Sequence, residues 1–426
     1  MRKLVSEYIA DLKLITHNIH LFVLGGLMIG IVQASMSLLL NLYLKDAGFR
    51  ETFIGRTLAF NSFGGVAAAL PAAYLAARYK IKPILIASAV VVAASFFMMC
   101  HTGMQWLILT SAFVFGFANQ IRGIAAAPFI MRNTTEQERT LVFSVNYSTW
   151  MTAAIIGSIG GGYLHEVLQR AFAVSMPSLE ANLQAYRTAV LITCLVGLLS
   201  IVAYSFIKAK APAPDEVARA FNWNSIRNNW RLLAKLMTPY FLLGTGAGLI
   251  IPFLNLYFRD RFGLDAARIG VYFSLLSIAM IVAVMAVPVI KRKLGFVRTV
   301  VLTEVLSIPF MLILCFTENL DLAFWAFMLR GALMNMGSPV STAFMMESVP
   351  EEQHGLVNSL ASIAWAVSWA LTAQIGGSMI EKGGYVPVFL VAIGLYILSA
   401  GSYYYFFACA ERKSANRWIL DISCAR

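Results

Sequence analysis

Three charged residues lie deep inside long apolar stretches of this 426-residue chain: Arg122, Arg330 and Glu304. A charge in an apolar environment is costly, so each of them needs a partner or a function. The two arginines could hold an anionic group of a ligand, or they could pair with helix carbonyls or a neighbouring side chain. Glu304 could carry a proton, or it could pair with a basic loop. These residues indicate binding chemistry inside an apolar protein.

A polar and aromatic stripe occupies one stretch near the C-terminus. Its members recur at spacings of four and three residues, which places them on one face of a helix. They are Asn358, Ser362, Trp365, Trp369 and Thr372. Lipid does not favour Asn and Ser, so this face is predicted to look into the protein.

A second aromatic pair, Tyr147 and Trp150, occupies the matching region of the first half. Two facing aromatic patches suit a largely apolar or ring-containing molecule that is held by a few polar groups. Gln33 and Asn119 could complete the polar lining. The alternative is that the tryptophans only fill a helix interface.

Charged residues at the ends of the apolar stretches could act as gates. Asp46 and Asp260 occupy equivalent positions in the two halves, and so do Arg132 and Glu347, which have opposite signs. We expect Arg132 and Glu347 to pair when their end of the molecule is closed. An exposed ion pair contributes less than about 1 kcal/mol, so such a gate would only tune a nearly balanced equilibrium.

Twelve apolar stretches must position these residues. The chain is 59% hydrophobic and 13% charged, too apolar for a soluble protein of this size. Each stretch is long enough to cross a bilayer as a helix. The predicted spans are 20–44, 53–77, 83–101, 106–130, 141–164, 187–207, 238–258, 269–290, 299–317, 322–346, 355–380 and 385–408.

The distribution of Lys and Arg predicts the orientation. If the N-terminus is cytoplasmic, the inner segments carry 22 of the 33 basic residues. Basic loops stay on the cytoplasmic side, so both termini are predicted to be cytoplasmic. The basic rim would face anionic lipid headgroups. This accounts for the net charge of +12 without a nucleic acid partner.

The segments between and beside the spans complete the predicted organisation. Residues 1–19 resemble an amphipathic helix on the inner surface. Residues 20–207 and 238–408 form two six-helix bundles, joined by a charged linker at 208–237. Residues 409–426 form a cytoplasmic tail.

The second half of the chain repeats the first about 215 residues later. The segment from Leu40 to Asp46 returns between Leu254 and Asp260, and many single residues return with the same offset. A parallel repeat of a hydrophobic half predicts two bundles around a central path.

The loop after the second span resembles a signature of the major facilitator superfamily, Gly-x-Leu-x-Asp-Arg-x-Gly-Arg-Lys. It reads Ala73-Tyr-Leu-Ala-Ala-Arg-Tyr-Lys-Ile-Lys82. Arg78 and Lys82 match, and Ala77 replaces the Asp. The resemblance implies a conformational role for Arg78 and Lys82, without the charge relay of the family's Asp.

The fifth span is similar to the family's antiporter motif, Gly-Pro-x-x-Gly-Gly. It contains Gly157, Gly161 and Gly162, with Ser158 in place of Pro. Small residues let two helices approach closely and can seal one end of the path. In the family this motif marks exporters more than importers. Ala112 stands where many proton-driven exporters carry Arg.

The resemblance covers nearly the whole chain. It implies an all-α integral membrane protein with 12 transmembrane helices in two pseudo-symmetric six-helix bundles, in the bacterial plasma membrane. In the family, helices 4 and 10 line the path, which favours a binding role for Arg122 and Arg330. Helix 9, which carries Glu304, is peripheral.

We therefore expect a secondary active transporter that moves a small amphipathic molecule by alternating access, with an anionic group if the arginines bind it. Export in exchange for protons is the first choice. The alternatives are an importer of a sugar or organic acid and a non-transporting membrane sensor or scaffold. Its expected partners are this small-molecule substrate, protons and lipids, and it is expected to be a monomer.

No enzyme activity or cofactor is expected. The sequence contains no phosphate-binding loop or dinucleotide fingerprint, and its five His residues show no metal-ligand spacing. The serines form no nucleophile constellation.

Overall fold

The computed structural model describes residues 16–208, 223–349 and 353–414, and these ranges are helical apart from short turns. The first half contributes α1 (His17–Asp46), α2 (Glu51–Arg78), α3 (Ile81–His101), α4 (Gln105–Asn133), α5 (Glu136–Phe172) and α6 (Ser178–Leu198, continued by Ser200–Ser205). The second half contributes α7 (Trp223–Ile250, the 3-10 turn Ile251–Phe253 and Leu254–Phe262), α8 (Ala266–Leu294), α9 (Phe296–Phe316), α10 (Leu320–Glu347), α11 (His354–Gly383) and α12 (Tyr385–Ser414).

These helices confirm the predicted fold class. Ten of them are long and apolar enough to cross a membrane by length and composition. The other two, α5 and α10, have 37 and 28 residues and are also long enough. Their apolar character is diluted by the Ser, Thr and Gly residues of α5 and by Arg330 in α10.

The two faces of the molecule are distinguished by their turns. The face that carries the turns 47–50, 102–104, 173–177, 263–265 and 317–319 is called the distal face. The opposite face carries the start of α1 and the end of α12, and it is called the proximal face. The predicted orientation would make the proximal face cytoplasmic.

The halves meet along two pairs of helices. Between the halves, α2 packs on α11, and α5 packs on α8. By contrast, α4 packs on α2 and α3, and α10 packs on α8 and α9, each within its own half. The proximal part of the second half has its own apolar core, which includes Leu236, Val297 and Phe344.

A break in α7 exposes backbone at the interface between the halves. Pro252 has no N–H to donate, and the helix becomes a 3-10 turn from Ile251 to Phe253. The carbonyl of Pro252 then accepts a hydrogen bond from the first half, as described below.

The element boundaries differ from the predicted segments at both ends of the linker. Helical backbone begins at Trp223, inside the predicted linker 208–237, with a non-helical residue at Asn229. The helix α12 continues to Ser414, beyond the predicted end of the bundle at residue 408. Most of the predicted N-terminal amphipathic segment and of the C-terminal tail lies outside the described residues.

Candidate functional site

A cavity of about 230 Å³ lies between α1, α5 and α8, so both halves contribute to its wall. Its twelve lining residues carry no formal charge. They are Gly30, Gln33, Ala34, Ser37, Leu38, Trp150, Ala154, Ser158, Phe273, Leu276, Ser277 and Met280. The wall is therefore apolar and aromatic, with a few polar groups, as is usual for small-molecule sites.

The polar groups of the cavity are mainly free to accept hydrogen bonds. The hydroxyl of Ser37 donates to the Gln33 carbonyl at 3.0 Å, and that of Ser277 donates to the Phe273 carbonyl at 3.0 Å. Each hydroxyl proton is thus used inside its own helix, and the lone pairs of the oxygen remain available. The Oε1 atom of Gln33 is buried without a hydrogen-bond partner among the described residues.

The cavity is closed toward the distal face by two equivalent asparagines. The Nδ2 atom of Asn41 donates to the Pro252 carbonyl at 2.6 Å, and that of Asn255 donates to the Leu38 carbonyl at 2.9 Å. Asn41 and Asn255 also contact each other at 3.2 Å. Because Leu38 and Pro252 are themselves repeat mates, this contact reproduces the pseudo-twofold relation of the halves.

An ion pair adds to the closure. Arg259 of α7 binds Asp46 of α1 and also donates to the Leu42 carbonyl at 3.1 Å. Asn182 of α6 donates to the other Asp46 oxygen at 2.8 Å. Asp46 thus lies in a contact between the halves, whereas its mate Asp260 accepts a hydrogen bond from Tyr385 within the second half.

Four glycines permit the close approach of the helices that join the halves. A Cβ atom on Gly162 would lie 2.5 Å from the Ala266 carbonyl oxygen, and one on Gly55 would lie 2.5 Å from that of Ala373. Their mates Gly377 and Gly270 are equally crowded by backbone of the other half. The two seams are therefore built on repeated glycines.

The other glycines of the predicted motif act inside the first half. Gly157 approaches the backbone of α1 at Ile31, and its carbonyl accepts a hydrogen bond from Ser35 at 3.0 Å. Gly161 faces the same Ser35. These glycines pack α5 on α1, whereas Gly162 packs α5 on α8.

A further contact at the distal face joins α2 to α11. Glu381 accepts from the backbone N–H of Thr52 at 3.2 Å and lies 3.3 Å from the Arg50 guanidinium. Glu381 was not singled out by the sequence, because an acid at a helix end is common and carries no signal of its own.

The predicted proximal gate residues contact their own halves. Arg132 donates to the Ala76 carbonyl at 2.9 Å, and Glu347 lies 3.7 Å from Lys291. Arg78 donates to the Tyr74 hydroxyl, and Lys82 binds the Ser205 carbonyl at the end of α6.

Among the predicted binding residues, Gln33 and Trp150 line the cavity. Arg122 donates to Asn119 at 3.1 Å, and its Nε atom is buried without a hydrogen-bond partner among the described residues. Arg330 is 6% exposed and donates to the Tyr396 hydroxyl. Both arginines thus interact within their own half.

The tryptophans of the predicted stripe pack against α7. The ring of Trp365 lies 5.5 Å from that of Tyr240 and 5.8 Å from that of Trp369. Asn358 and Ser362 are exposed nearer the proximal end, and Tyr147 is 46% exposed. The stripe therefore contributes to a helix interface at its distal end.

The sequence reasoning missed the α8 wall of the cavity. Phe273, Ser277 and Met280 recur at spacings of four and three residues, the same pattern that identified the α11 stripe. Among the described residues, no group of three His, Cys, Asp or Glu side chains could hold a metal ion.

Comparison with known proteins places this architecture in a family. The sequence matches the model of the Major Facilitator Superfamily at residues 21–373 and 293–418. It is 23% identical over 256 residues to the "Multidrug resistance protein MdtG" of Klebsiella pneumoniae (strain 342). That alignment spans 59% of this chain and 58% of the relative.

Solved structures of transporters share the fold. A bacterial homologue of the human lysosomal transporter Spinster, in an inward-facing and unoccupied conformation, superimposes with a TM-score of 0.75 at 11% identity, covering 91% of this chain and 95% of that one. The nucleoside transporter NupG (D323A mutant) gives 0.72 at 12% identity, covering 92% and 100%. A D-xylose-proton symporter gives 0.69 at 12% identity, covering 93% and 97%. This chain belongs to the Major Facilitator Superfamily and is a multi-pass membrane transporter, not an enzyme.

Proposed function

We propose that this transporter exports a small, uncharged, ring-containing molecule with hydrogen-bond donors. The observation that carries the proposal is the wall of the cavity between α1, α5 and α8, which combines aromatic side chains with hydrogen-bond acceptors. Trp150 and Phe273 offer ring surfaces, and aromatic pairs prefer stacked or edge-to-face arrangements. Gln33, Ser37 and Ser277 would accept hydrogen bonds from the ligand.

The absence of charge from this wall changes the expected substrate. An anionic group was expected because Arg122 and Arg330 lie inside the membrane. Arg330 donates to Tyr396 and Arg122 donates to Asn119, each within its own half, and neither arginine is among the residues that line the cavity. An anion in this cavity would lose its hydration without gaining a counter-charge, which is costly. The lining therefore favours a neutral ligand.

The distribution of contacts supports alternating access. Hydrogen bonds between the halves cluster toward the distal face, whereas Glu347 lies beside Lys291 of its own half at the proximal face. We infer that the structure represents a state open at the proximal face. With the predicted orientation this is an inward-facing state, in which the cavity takes up its ligand from the cytoplasm.

Two observations favour export over import. The relative from Klebsiella is named as a multidrug resistance protein, although the alignment spans only 58% of it. The α5 motif, which marks exporters in the family, supplies Gly162 to the seam between the halves. A sugar importer is less well supported, because Trp150 and Phe273 give the cavity an aromatic rather than purely polar wall.

Thermal unfolding of the purified protein tests the substrate class. Three probes differ in charge: chloramphenicol, which is neutral with hydroxyl and amide donors; ethidium, a cation; and carboxyfluorescein, an anion. We expect stabilisation by chloramphenicol alone. Trp150→Ala should weaken this binding by about tenfold, which corresponds to about 1.4 kcal/mol. Trp106→Ala, which changes a 63% exposed tryptophan of α4, should leave it unchanged.

Cell accumulation tests the direction. Cells that produce the wild type should accumulate less chloramphenicol than cells that produce Trp150→Ala at the same level. Greater accumulation with the wild type would show import. Stabilisation by carboxyfluorescein alone would overturn the neutral substrate class and return the arginines to the binding site.

A further inference from the structure

The second half contains a buried pair of opposite charges that the cavity does not use. Glu304 of α9 is 3% exposed and Arg330 of α10 is 6% exposed. Their helices pack together, and Gly337 of α10 approaches Thr303 of α9 closely. No ion pair within 4 Å joins Glu304 to Arg330 in the described parts of the chain. Two unpaired charges so deeply buried would be costly.

Arg330 is instead held by α12. Its guanidinium donates to the Tyr396 hydroxyl and lies 5.6 Å from the centre of the same ring. Both contacts suit a cation, because the hydroxyl oxygen accepts a hydrogen bond and the face of the ring is negative. These contacts stabilise the Arg330 guanidinium without a carboxylate.

The hydroxyl groups beside Glu304 leave one of its carboxyl oxygens without a hydrogen bond. Ser399, one turn along α12 from Tyr396, lies beside the Glu304 carboxyl group. However, the Ser399 hydroxyl already donates to the Pro239 carbonyl of α7 at 3.0 Å. The hydroxyl of Ser307 likewise donates to the backbone carbonyl of Glu304 at 2.6 Å. The Oε2 atom of Glu304 has no hydrogen-bond partner in the described structure.

This arrangement satisfies a protonated carboxyl group better than a carboxylate. An ionised carboxylate is an acceptor only, and in the described structure the Oε2 atom of Glu304 receives no hydrogen bond and no cationic side chain lies within 4 Å of the carboxyl group. A protonated Glu304 can donate its O–H to the lone pairs of Ser399. The titratable groups on the helices around Glu304 include Tyr396 and Tyr403 on α12 and Tyr240, which follows Pro239 on α7. The charged groups are Arg330 on α10 and Lys291 of α8, which lies near the proximal start of α9 at Phe296.

We propose that Glu304 is a proton-binding site, occupied in the conformation described here and separate from the substrate cavity. On release, the O–H bond of the carboxyl group breaks, the proton leaves to water, and the electron pair stays on Glu304 as a carboxylate. Arg330 then exchanges the Tyr396 hydroxyl for this carboxylate. The proton and the pairing of Arg330 are thus alternatives at one buried site.

The site formed by Glu304, Arg330, Tyr396 and Ser399 is connected to α7, the helix that closes the distal face. Ser399 binds the Pro239 carbonyl of α7, and the same helix carries Asn255 and Arg259, which hold α1. A change in the pairing of Glu304 therefore reaches α7 through Ser399. This proposal rests on the proposed transport function only where it links the proton to the closure of the distal face.

Infrared difference spectroscopy tests proton binding without a substrate. The purified wild type should show the carbonyl stretch of a buried protonated carboxyl group, which disappears reversibly as the pH is raised. Glu304→Gln, a neutral side chain of the same shape, should lose this band. Glu318→Gln, which changes an exposed acid at the distal face, should keep it. Tyr396→Phe releases Arg330 to pair with Glu304, so the band should vanish at a lower pH than in the wild type.

The outcomes separate this proposal from the proposed function. A band that persists in Glu304→Gln, or no band at any pH at which the protein is folded, would overturn the proton site. Both results are independent of whether chloramphenicol binds. If it binds, Glu304→Gln should still exchange chloramphenicol across proteoliposomes but lose the stimulation by a pH gradient. Equal stimulation in the variant and the wild type would overturn the coupling role.

Discussion

A single methyl group at Gly162 should open the distal face. The Cβ of an alanine at this position would lie 2.5 Å from the Ala266 carbonyl oxygen and 2.9 Å from the Cα atom of Ala267. Both atoms belong to the backbone of the other half, so neither can turn away as the end of a side chain can. The clash exists only while α5 and α8 are in contact at the distal face, and separation of the halves removes it.

The size of the effect follows from the overlap. Ordinary contact begins near 3.4 Å, so α8 must move by about 0.9 Å to accept the methyl group. Overpacking of this kind costs about 1 to 3 kcal/mol. Because the cost applies to one conformation only, it shifts the equilibrium by about 5-fold to 150-fold toward the distal-open state.

Distance measurements between spin labels on the two halves provide the assay. Cysteines at Met104 and Glu318 place labels in distal turns of opposite halves, on exposed residues. We expect Gly162→Ala to increase the population with the longer distance. Gly160→Ala is the matched control, because its Cβ would meet no atom within 4 Å. An unchanged distance distribution in a folded Gly162→Ala protein would refute the reasoning.

Two other substitutions separate gating from structural roles. Arg259→Gln should shift the same spin-label distances toward the longer value, because Asp46 loses its partner in the other half. Arg268→Gln should have no effect, since it removes only the contact of Arg268 with Asp265, in which the arginine side chain is 71% accessible. Arg330→Gln should lower the melting temperature through the loss of the Tyr396 contacts while chloramphenicol binds as in the wild type, and a selective loss of that binding would place Arg330 in the substrate site.

The sequence was sufficient for the fold because its signals are long and redundant. Twelve apolar stretches predict the helices, and the repeat predicts two equivalent bundles. The repeat also preserves the glycines of both seams, Gly55 with Gly270 and Gly162 with Gly377. A glycine that lets two backbones approach closely cannot be replaced by a larger residue without a clash. Glycine therefore occupies the equivalent positions of both halves.

The site was harder to predict because the direction of a side chain is a tertiary property. Arg330 and Trp365 were both predicted to bind the ligand, and in the structure one donates to Tyr396 and the other packs on Tyr240. Conversely, Asp46 pairs with Arg259 of the other half, a contact that its position in the sequence does not predict. Spacing along a helix shows which residues share a face, but only the packing of the helices determines what that face contacts.

The two halves contribute equivalent residues to the contacts between them but different residues to the ligand site. The distal closure draws equivalent contacts from both halves, and the pairs Asn41 with Asn255 and Gly162 with Gly377 supply them. The ligand site needs no such symmetry. Trp150 borders the cavity, whereas its mate Trp365 packs over Gly244.

The charges of Glu304 and Arg330 have no counterpart in the first half, because Ala89 and Phe115 occupy the equivalent positions there. If the proton and the substrate bind in different regions, neither ligand has to displace the other, and the two events can communicate only through the helices that move. The helix α7 is the connection, since its proximal half holds Ser399 through the Pro239 carbonyl and its distal half holds α1 through Asn255 and Arg259. Coupling through a shared moving helix requires each ligand to bind one conformation more tightly than the other. It therefore depends more on the movement of α7 than on any single residue of the cavity.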